Sequence, residues 1–131
     1  MTLEGGCHCG AVRYAVVGEP EHSALCLCTD CRKAAGAHLV GWALFRQEQV
    51  AVSGTTRVYN SSGDIQRHFC QECGTGLFYL SDSIFPGKID VQTATLDDPE
   101  ALPPQIWVQA ADAPSWVGAI TALPRFDRYP E

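Results

Sequence analysis

The sequence lacks the features of an exported, membrane-spanning or nucleic-acid-binding chain. Its first residues, MTLEGGCHCG, contain no basic segment followed by an apolar run, so we expect no signal peptide and a cytoplasmic location. No apolar stretch approaches the roughly 20 residues that a membrane-spanning helix needs. Basic residues are scarce, nine against fifteen acidic ones, and the formal charge of −6 disfavours nucleic acid or an anionic membrane as a partner.

The remaining composition is that of one globular domain, which we expect to span residues 1–131. Short runs rich in Val, Ile, Phe, Tyr and Trp alternate with Gly and Asn turns, which predicts a mainly β fold. We expect short antiparallel sheets in a β-tent-like arrangement with one or two short helical turns. The predicted strands are 11–18, 22–28, 38–45, 49–54, 76–82, 88–96 and 104–110, with a hairpin over 56–70, a helical turn over 29–37 and a short helix beginning at Asp98.

The cysteines are the unusual part of the composition. There are seven of them, and a disulfide framework predicts an even number in an exported chain. In a reducing compartment, clustered cysteines are more typical of a metal site. We therefore interpret them as metal ligands.

Two cysteine pairs are suited to a closed zinc site. Cys7 and Cys9 form a C-x-C pair, and Cys70 and Cys73 form a C-x-x-C pair. Residues two apart on an extended chain face the same way, and a tight turn brings a C-x-x-C pair together. Gly10 and Gly74 supply backbone freedom beside the two pairs. Four such thiolates make a tetrahedral structural site.

The remaining thiols form a local C-x-C-x-x-C triplet, Cys26, Cys28 and Cys31. Zinc with three protein ligands keeps a position for water or substrate, as catalytic zinc does. Spacing alone leaves a second partition open, because the first pair can share an ion with Cys26 and Cys28, which leaves Cys31 with the C-x-x-C pair. We prefer the local triplet, since its ligands meet one ion without closing a long loop.

Three segments resemble one known family. These are GGCHCGAVRY, CLCTDCRKAAGA and FCQECGTGLF, and the later PQIWVQAADAPSW resembles the C-terminal segment of the same family. The sequence is similar to the glutathione-dependent formaldehyde-activating enzymes, a family that includes centromere protein V. All seven cysteines fall on motif positions of that family.

This resemblance implies a β-rich fold with two zinc ions per chain. Cys7, Cys9, Cys70 and Cys73 would hold a structural zinc, and Cys26, Cys28 and Cys31 a catalytic one. The activity implied is that of a carbon–sulfur lyase, which condenses formaldehyde with glutathione to S-hydroxymethylglutathione. The expected partners are therefore a small thiol and a small aldehyde. A fold and a site do not by themselves fix the substrate.

The chemistry of a three-thiolate zinc agrees with that activity. Such a site suits a soft ligand, and an incoming thiol would lose its proton on coordination. Because glutathione is anionic, we expect basic residues nearby. Arg32 and Lys33 adjoin the triplet and are the first candidates, ahead of Arg46 and Arg67, although solvated helix residues are an equal interpretation.

The histidines and tryptophans give weaker indications. His68 can donate to a zinc-bound sulfur and His38 can move protons, but an ordinary strand histidine is the preferred interpretation of His68. Trp42, Trp107 and Trp116 are expected in the core or a pocket wall. The alternative function is a non-enzymatic module that binds a protein partner. In that case both zinc sites are structural, and the second is closed by His8, His38 or a partner residue.

Overall fold

The protein is described by a computed structural model that covers residues 1–130, and it is mainly β, which confirms the predicted fold class. Ten strands form two sheets, and one α-helix, α1, spans Thr29–Ala35. The strands are β1 Thr2–Gly6, β2 Arg13–Val17, β3 His22–Cys26, β4 Val40–Arg46, β5 Val50–Ser53, β6 Thr56–Tyr59, β7 Gln66–Cys70, β8 Gly76–Leu80, β9 Lys88–Gln92 and β10 Ile106–Val108.

The strands pair in two separate orders. The smaller sheet has the order β1-β2-β5, and the larger has the order β10-β3-β4-β9-β8-β7-β6. All pairs are antiparallel except β10 with β3, which is parallel, so the expectation of antiparallel sheets holds for all but one edge strand. The predicted hairpin over 56–70 is present as β6 and β7.

One face of the larger sheet packs on the core, and the other face packs near Cys26 and Cys31. Ala43 and Phe45 of β4 lie opposite Val91 and Ile89 of β9 and are buried in the core. That core also takes buried side chains from β2 of the smaller sheet, so it lies between the two sheets. Strand side chains alternate between faces, so the residues next to these in sequence point away from the core.

Capping residues at both ends limit helix α1 to seven residues. Cys28 is the N-cap, and Gly36 ends the helix in the left-handed conformation with φ 67°. The Gly36 amide donates to the carbonyl of Arg32, a common way of closing a helix. None of the helices in residues 1–130 has the length and apolar character needed to cross a membrane.

Two local expectations were wrong. Strand β1 is not among the predicted strands, because Glu4, Gly5 and Gly6 interrupt the apolar pattern that marks a strand. The short helix expected at Asp98 is a turn instead. The Asp98 carboxylate accepts from the amide of Glu100 at 2.9 Å, as an N-cap does, but only a single turn follows, closed by the bond from the Ala101 amide to the Asp98 carbonyl.

Candidate metal centre and cavity

The structure brings Cys7, Cys9, Cys70 and Cys73 together, and we call them the four-cysteine group. Their segments form two similar turns. The amide of Cys7 donates to the carbonyl of Val12 at 3.0 Å, and the amide of Cys70 donates to that of Thr75 at 2.9 Å. Gly10 and Gly74 have φ of 84° and 81°, so each turn needs the conformation that glycine adopts freely.

The sulfur atoms of the four-cysteine group have the spacing of a tetrahedral metal site. The Sγ atoms of Cys7 and Cys9 are 3.6 Å apart, and those of Cys9 and Cys70 are 3.8 Å apart. Four sulfurs at about 2.3 Å from zinc are separated by about 3.8 Å. Backbone amides also donate to two of these sulfurs, from Val12 to Cys7 at 3.2 Å and from Glu72 to Cys70 at 3.4 Å. The group therefore fits a metal ion that binds thiolates.

Cys26, Cys28 and Cys31 form a second set of ligand atoms, the three-cysteine group. Cys26 is the last residue of β3, and Cys28 caps α1 by accepting from the amide of Cys31 at 3.1 Å. All three Sγ atoms lie within 4.8 Å of one another. Among residues 1–130, no fourth histidine, cysteine, aspartate or glutamate belongs to this set. Strand end, cap and first helical turn thus aim three sulfurs at one point.

The three thiols share protons unequally. Hydrogen bonding with Cys26 lowers the pKa of the Cys31 thiol to about 5, against the opposing effect of burial, and Cys28 and Arg67 lower it further. The same interaction with Cys31, followed by burial, raises the pKa of Cys26. A metal ion bound by this group would replace the thiol protons, because cysteine binds metal as the thiolate.

The three-cysteine group lies in the wall of a cavity of about 530 Å³. The volume falls within the range of ligand-binding pockets. Much of the wall is apolar or aromatic, including Trp42, Ile65, Tyr79 and Phe85. Within the described chain, the four-cysteine group contributes nothing to this wall. The two groups of cysteines therefore differ in their access to a small molecule.

A family model described as "Glutathione-dependent formaldehyde-activating enzyme" matches residues 2–111, a range that includes all seven cysteines. The chain belongs to this family. The resemblance seen in the sequence motifs is thereby confirmed.

Relatives of this family member come from bacteria and fungi. A Halomonas elongata protein named "Putative glutathione-dependent formaldehyde-activating enzyme" is 33% identical, and the match covers 89% of this chain and 80% of the relative. An Aspergillus flavus protein of the same name is 31% identical over 70% of this chain and 50% of its own length. A crystal structure of a Rhodobacter sphaeroides protein matches with a TM-score of 0.62 and 27% identity, over 80% of this chain and 99% of the other.

Arg67 lines the cavity, and its guanidinium contacts the three-cysteine group of this family member. Its Nη1 and Nη2 atoms lie 3.7 Å and 3.8 Å from the Sγ of Cys31, and its guanidinium stacks on the Tyr79 ring with 5.1 Å to the centroid. Arg67 was only a weak candidate in the sequence, because it is 36 residues from Cys31. The pairing of Arg67 with Tyr79 across β7 and β8 brings it to the site.

Arg32 and Lys33, the preferred basic candidates, do not line the cavity. They lie in the last turn of α1, where cations are favoured by the helix dipole, and Lys33 is exposed. Adjacency to Cys31 in sequence does not place a helical side chain on the cavity side, so the cavity lining favours Arg67 over these two residues.

No histidine of residues 1–130 belongs to either group of metal-ligand atoms, although one lines the cavity. His68 shares a hydrogen bond of 2.9 Å between its Nδ1 and the hydroxyl of Thr56, and burial lowers its pKa. His38 is exposed and packs edge-on against Trp116, with ring centroids 4.7 Å apart. The backbone amide of His8 donates a hydrogen bond to the hydroxyl of Thr75. His22, which suggested no role in the sequence, lines the cavity.

Proposed function

We propose that this protein is a zinc-dependent carbon–sulfur lyase and adduct synthase, which joins a small thiol, glutathione or a similar one, to a small aldehyde such as formaldehyde. One observation supports this above all others. Three cysteine sulfurs with no fourth ligand among residues 1–130 meet at the wall of a cavity of about 530 Å³. An open coordination position beside a pocket is the arrangement of a catalytic zinc.

Two zinc ions would be held by the two groups of cysteines. Cys7, Cys9, Cys70 and Cys73 would bind a structural zinc, and Cys26, Cys28 and Cys31 would bind the catalytic one. A zinc in the three-cysteine group would lower the pKa of an incoming thiol and present its sulfur as a nucleophile. The thiolate-rich donor set favours such a soft ligand over water.

The residues around the three-cysteine group would favour this reaction in two ways. The Arg67 guanidinium lies against the Cys31 sulfur, so it offsets the negative charge that three thiolates place there. It is also the cation that an anionic thiol such as glutathione meets on entering. Apolar residues such as Ile65 and Phe85 exclude water from the same space, which strengthens these charge interactions.

The names of the relatives support the same chemistry. The Halomonas elongata relative, most of whose length this chain covers, is named for glutathione-dependent activation of formaldehyde. The cytoplasm, where thiols are kept reduced, is the compartment we propose for this activity. A non-enzymatic module with two closed structural zinc sites is the competing function, and it would not need a ligand-sized cavity beside one zinc.

The substitution Cys31→Ser tests the proposed function. In protein purified under reducing conditions with zinc, we expect the variant to bind one zinc instead of two and to remain folded. Its exchange rate between formaldehyde and the glutathione adduct, measured by exchange NMR, should fall by at least about a thousandfold. The control Ala34→Ser places a serine on an exposed position of the same helix and should keep both zincs and full activity.

Two results would contradict this proposal. A folded Cys31→Ser protein that keeps both metals and full turnover would exclude the three-cysteine group as the catalytic site. X-ray absorption of the zinc-loaded wild type should show a non-protein oxygen or an exchangeable thiol at one zinc. Two zincs that each keep four unexchangeable protein ligands when glutathione is added would favour the interaction module.

A further inference from the structure

Two buried side chains beside the three-cysteine group each have a polar atom without a hydrogen-bond partner. These atoms are Nε1 of Trp42 and Oδ1 of Asp90, and both residues are only 6% exposed. Buried polar atoms are nearly always hydrogen-bonded, so each exception requires an explanation. Sequence patterns did not single out Asp90, and they placed Trp42 only in a core or a pocket wall.

Strand pairing puts these two residues next to each other on the cavity face of the larger sheet. Asp90 of β9 lies opposite Leu44 of β4, and Trp42 is two residues before Leu44. Such diagonal neighbours lie on one face of a sheet and within reach of each other's side chains. Both residues line the cavity that Cys31 also lines. The two residues that carry the unpartnered atoms therefore line the same cavity as the cysteines.

His68 provides a comparison within the same protein. Its Nε2 atom is the third buried polar side-chain atom without a partner in residues 1–130. His68 does not line the cavity, and its ring packs near Phe78 with centroids 6.4 Å apart. An unpartnered atom therefore does not mark the site by itself. What distinguishes Trp42 and Asp90 is that they are adjacent and share the cavity with the thiols.

The two atoms complement a hydroxyl group. An indole N–H can only donate a hydrogen bond, whereas a carboxyl oxygen can accept one. A hydroxyl accepts and donates at once, and the product of adding a thiol to an aldehyde carries a hydroxyl on the carbon bonded to sulfur. Building on the proposed function, we propose that Trp42 and Asp90 form the subsite for the oxygen of the thiol–aldehyde adduct. The indole donates to this oxygen, and Asp90 accepts its hydrogen.

This assignment gives Asp90 a defined part in the reaction. As the sulfur electron pair forms the new carbon–sulfur bond, the π pair of the carbonyl moves to oxygen, and that oxygen takes the proton of the Asp90 carboxyl. The proton lost by the thiol returns to Asp90 through solvent, so that a thiol and an aldehyde yield one hemithioacetal. In the reverse cleavage Asp90 receives the hydroxyl proton. Trp42 stabilises the negative charge on oxygen in both directions.

The surroundings of Asp90 favour the proton-bearing form. Burial, followed by the nearby charge of Cys31, raises the pKa of the Asp90 carboxyl to about 7. Tyr79 lies directly opposite Asp90 on β8, and Arg67 lies opposite Tyr79 on β7. Strand β3 contributes two titratable residues to the same cavity, His22 and Cys26, and Asp30 and Asp112 also line it.

The variants Trp42→Phe and Asp90→Asn test the subsite with little change in shape. In zinc-loaded protein with glutathione and formaldehyde, we expect kcat/KM to fall about tenfold for Trp42→Phe and about a hundredfold for Asp90→Asn, in synthesis and in cleavage. Glutathione alone has no oxygen at the aldehyde position. Its Kd, measured by calorimetry, should therefore change by less than about twofold, the range of a neutral surface substitution.

Matched controls separate the subsite from general effects of losing an indole or a carboxylate. Trp107 is exposed and is next to the cavity residue Val108 on β10, so its side chain faces the other way. Asp127 is exposed near the C-terminal end. Trp107→Phe and Asp127→Asn should keep kcat/KM within about twofold of the wild type. Far-ultraviolet circular dichroism and zinc content should be unchanged in all four variants.

A second measurement does not depend on turnover. In protein with ¹⁵N-labelled tryptophan, the Trp42 indole resonance is identified by its absence in Trp42→Phe. Adding the glutathione–formaldehyde adduct should move this resonance downfield, while glutathione alone moves it less, and Asp90→Asn should reduce the difference. The resonances of Trp107 and Trp116 should not respond.

The outcomes distinguish the subsite from the proposed function. If the wild type turns over and both folded, zinc-loaded variants match it within about twofold, the subsite is excluded and the proposed function stands. A Trp42 resonance that ignores the adduct in active protein also excludes it, and would leave buried water as the partner of these atoms. A wild type without turnover for any thiol and aldehyde removes the proposed function and the subsite together.

Discussion

The two groups of cysteines place the same side chain in opposite settings. The four-cysteine group joins the turn after β1 to the turn after β7, segments 61 residues apart, and lies outside the cavity. The three-cysteine group comes from six consecutive positions and opens onto the cavity. A metal in the first group would close a long loop, and a metal in the second would close almost none. The comparison suggests that one group serves folding and the other serves chemistry.

The substitution Cys70→Ser should give the largest effect on stability. Cys70 is fully buried, and its loss would remove a ligand from the site that joins the distant segments. Structural zinc sites contribute on the order of 10 kcal/mol at neutral pH, so we expect a loss of at least about 5 kcal/mol in the free energy of unfolding. Urea unfolding followed by circular dichroism, with zinc counted by mass spectrometry, measures this.

The matched control for Cys70→Ser is the same exchange in the other group, Cys28→Ser. Serine is a favoured N-cap, so it can still accept from the amide of Cys31 and keep α1 intact. We expect Cys28→Ser to cost less than about 1 kcal/mol in the free energy of unfolding while it removes one zinc. Equal losses of stability in the two variants would contradict the division of roles.

Gradual metal removal should separate the two groups in time. A chelator reaches the three-cysteine group through the cavity and meets a metal with only three protein ligands. The other group has exposed sulfurs at Cys9 and Cys73, but it would hold its metal with four ligands, two of them buried. We expect the first zinc to leave with loss of activity and an unchanged circular dichroism spectrum. The second zinc should leave later, together with unfolding. Simultaneous release of both ions with unfolding would show that the two sites form one cooperative unit.

Local spacing favoured the three-cysteine group, because metal chemistry restricts both ligand type and spacing, whereas the family resemblance was needed to join the two distant pairs of the four-cysteine group. Cys26, Cys28 and Cys31 lie on one strand end and one helical turn, so their proximity needs no knowledge of the tertiary structure. The mainly β fold followed from the alternating apolar runs. Strand β1 did not, since its glycines hide a strand that is defined only by its pairing with β2.

The rest of the cavity could not be predicted, because strand pairing assembles it. Arg67, Tyr79 and Asp90 are neighbours only because β7, β8 and β9 pair in the register that places them in one row across the sheet. Each has an ordinary sequence context. Alternation within β9 offers one signal, since Asp90 is the charged residue between the apolar Ile89 and Val91. An acid at that position of a central strand indicates a second face that is not simply core or solvent.

The variant Asp90→Asn should change how the free energy of unfolding depends on pH, because Asp90 is buried beside the three-cysteine group. Because the folded-state pKa of Asp90 is raised to about 7, ionising it in the folded protein costs free energy that the unfolded chain does not lose. Wild-type stability should therefore fall relative to Asp90→Asn between about pH 4 and 7 and stay lower above that range. The maximal difference is about 4 kcal/mol.

Unfolding free energies of both proteins between pH 4 and pH 9 measure this difference. The exposed control Asp127→Asn should show no such divergence from the wild type. A constant offset between wild type and Asp90→Asn over the whole range would mean that the carboxyl titrates alike in the folded and unfolded states.

The smallest expected effect concerns how each group stabilises its thiolate. In the three-cysteine group, Arg67 adds to the lowering of the Cys31 pKa that begins with Cys26. In the four-cysteine group, the hydroxyl of Thr75, followed by its backbone, lowers the pKa of Cys73 to about 5 without any cation. Arg67→Gln should therefore raise the Cys31 pKa by up to about one pH unit and leave Cys73 unchanged.

Alkylation rates of Cys31 between pH 5 and 8, in protein stripped only of the three-cysteine metal, measure the shift. Arg57→Gln removes an exposed arginine from the neighbouring strand β6 and should have no effect on these rates. If Arg67→Gln leaves the Cys31 profile unchanged, the guanidinium does not act on the sulfur through charge. The three-cysteine group would then stabilise its thiolate through its own thiols and amides, as the four-cysteine group does, and the electrostatic difference between the two groups would disappear.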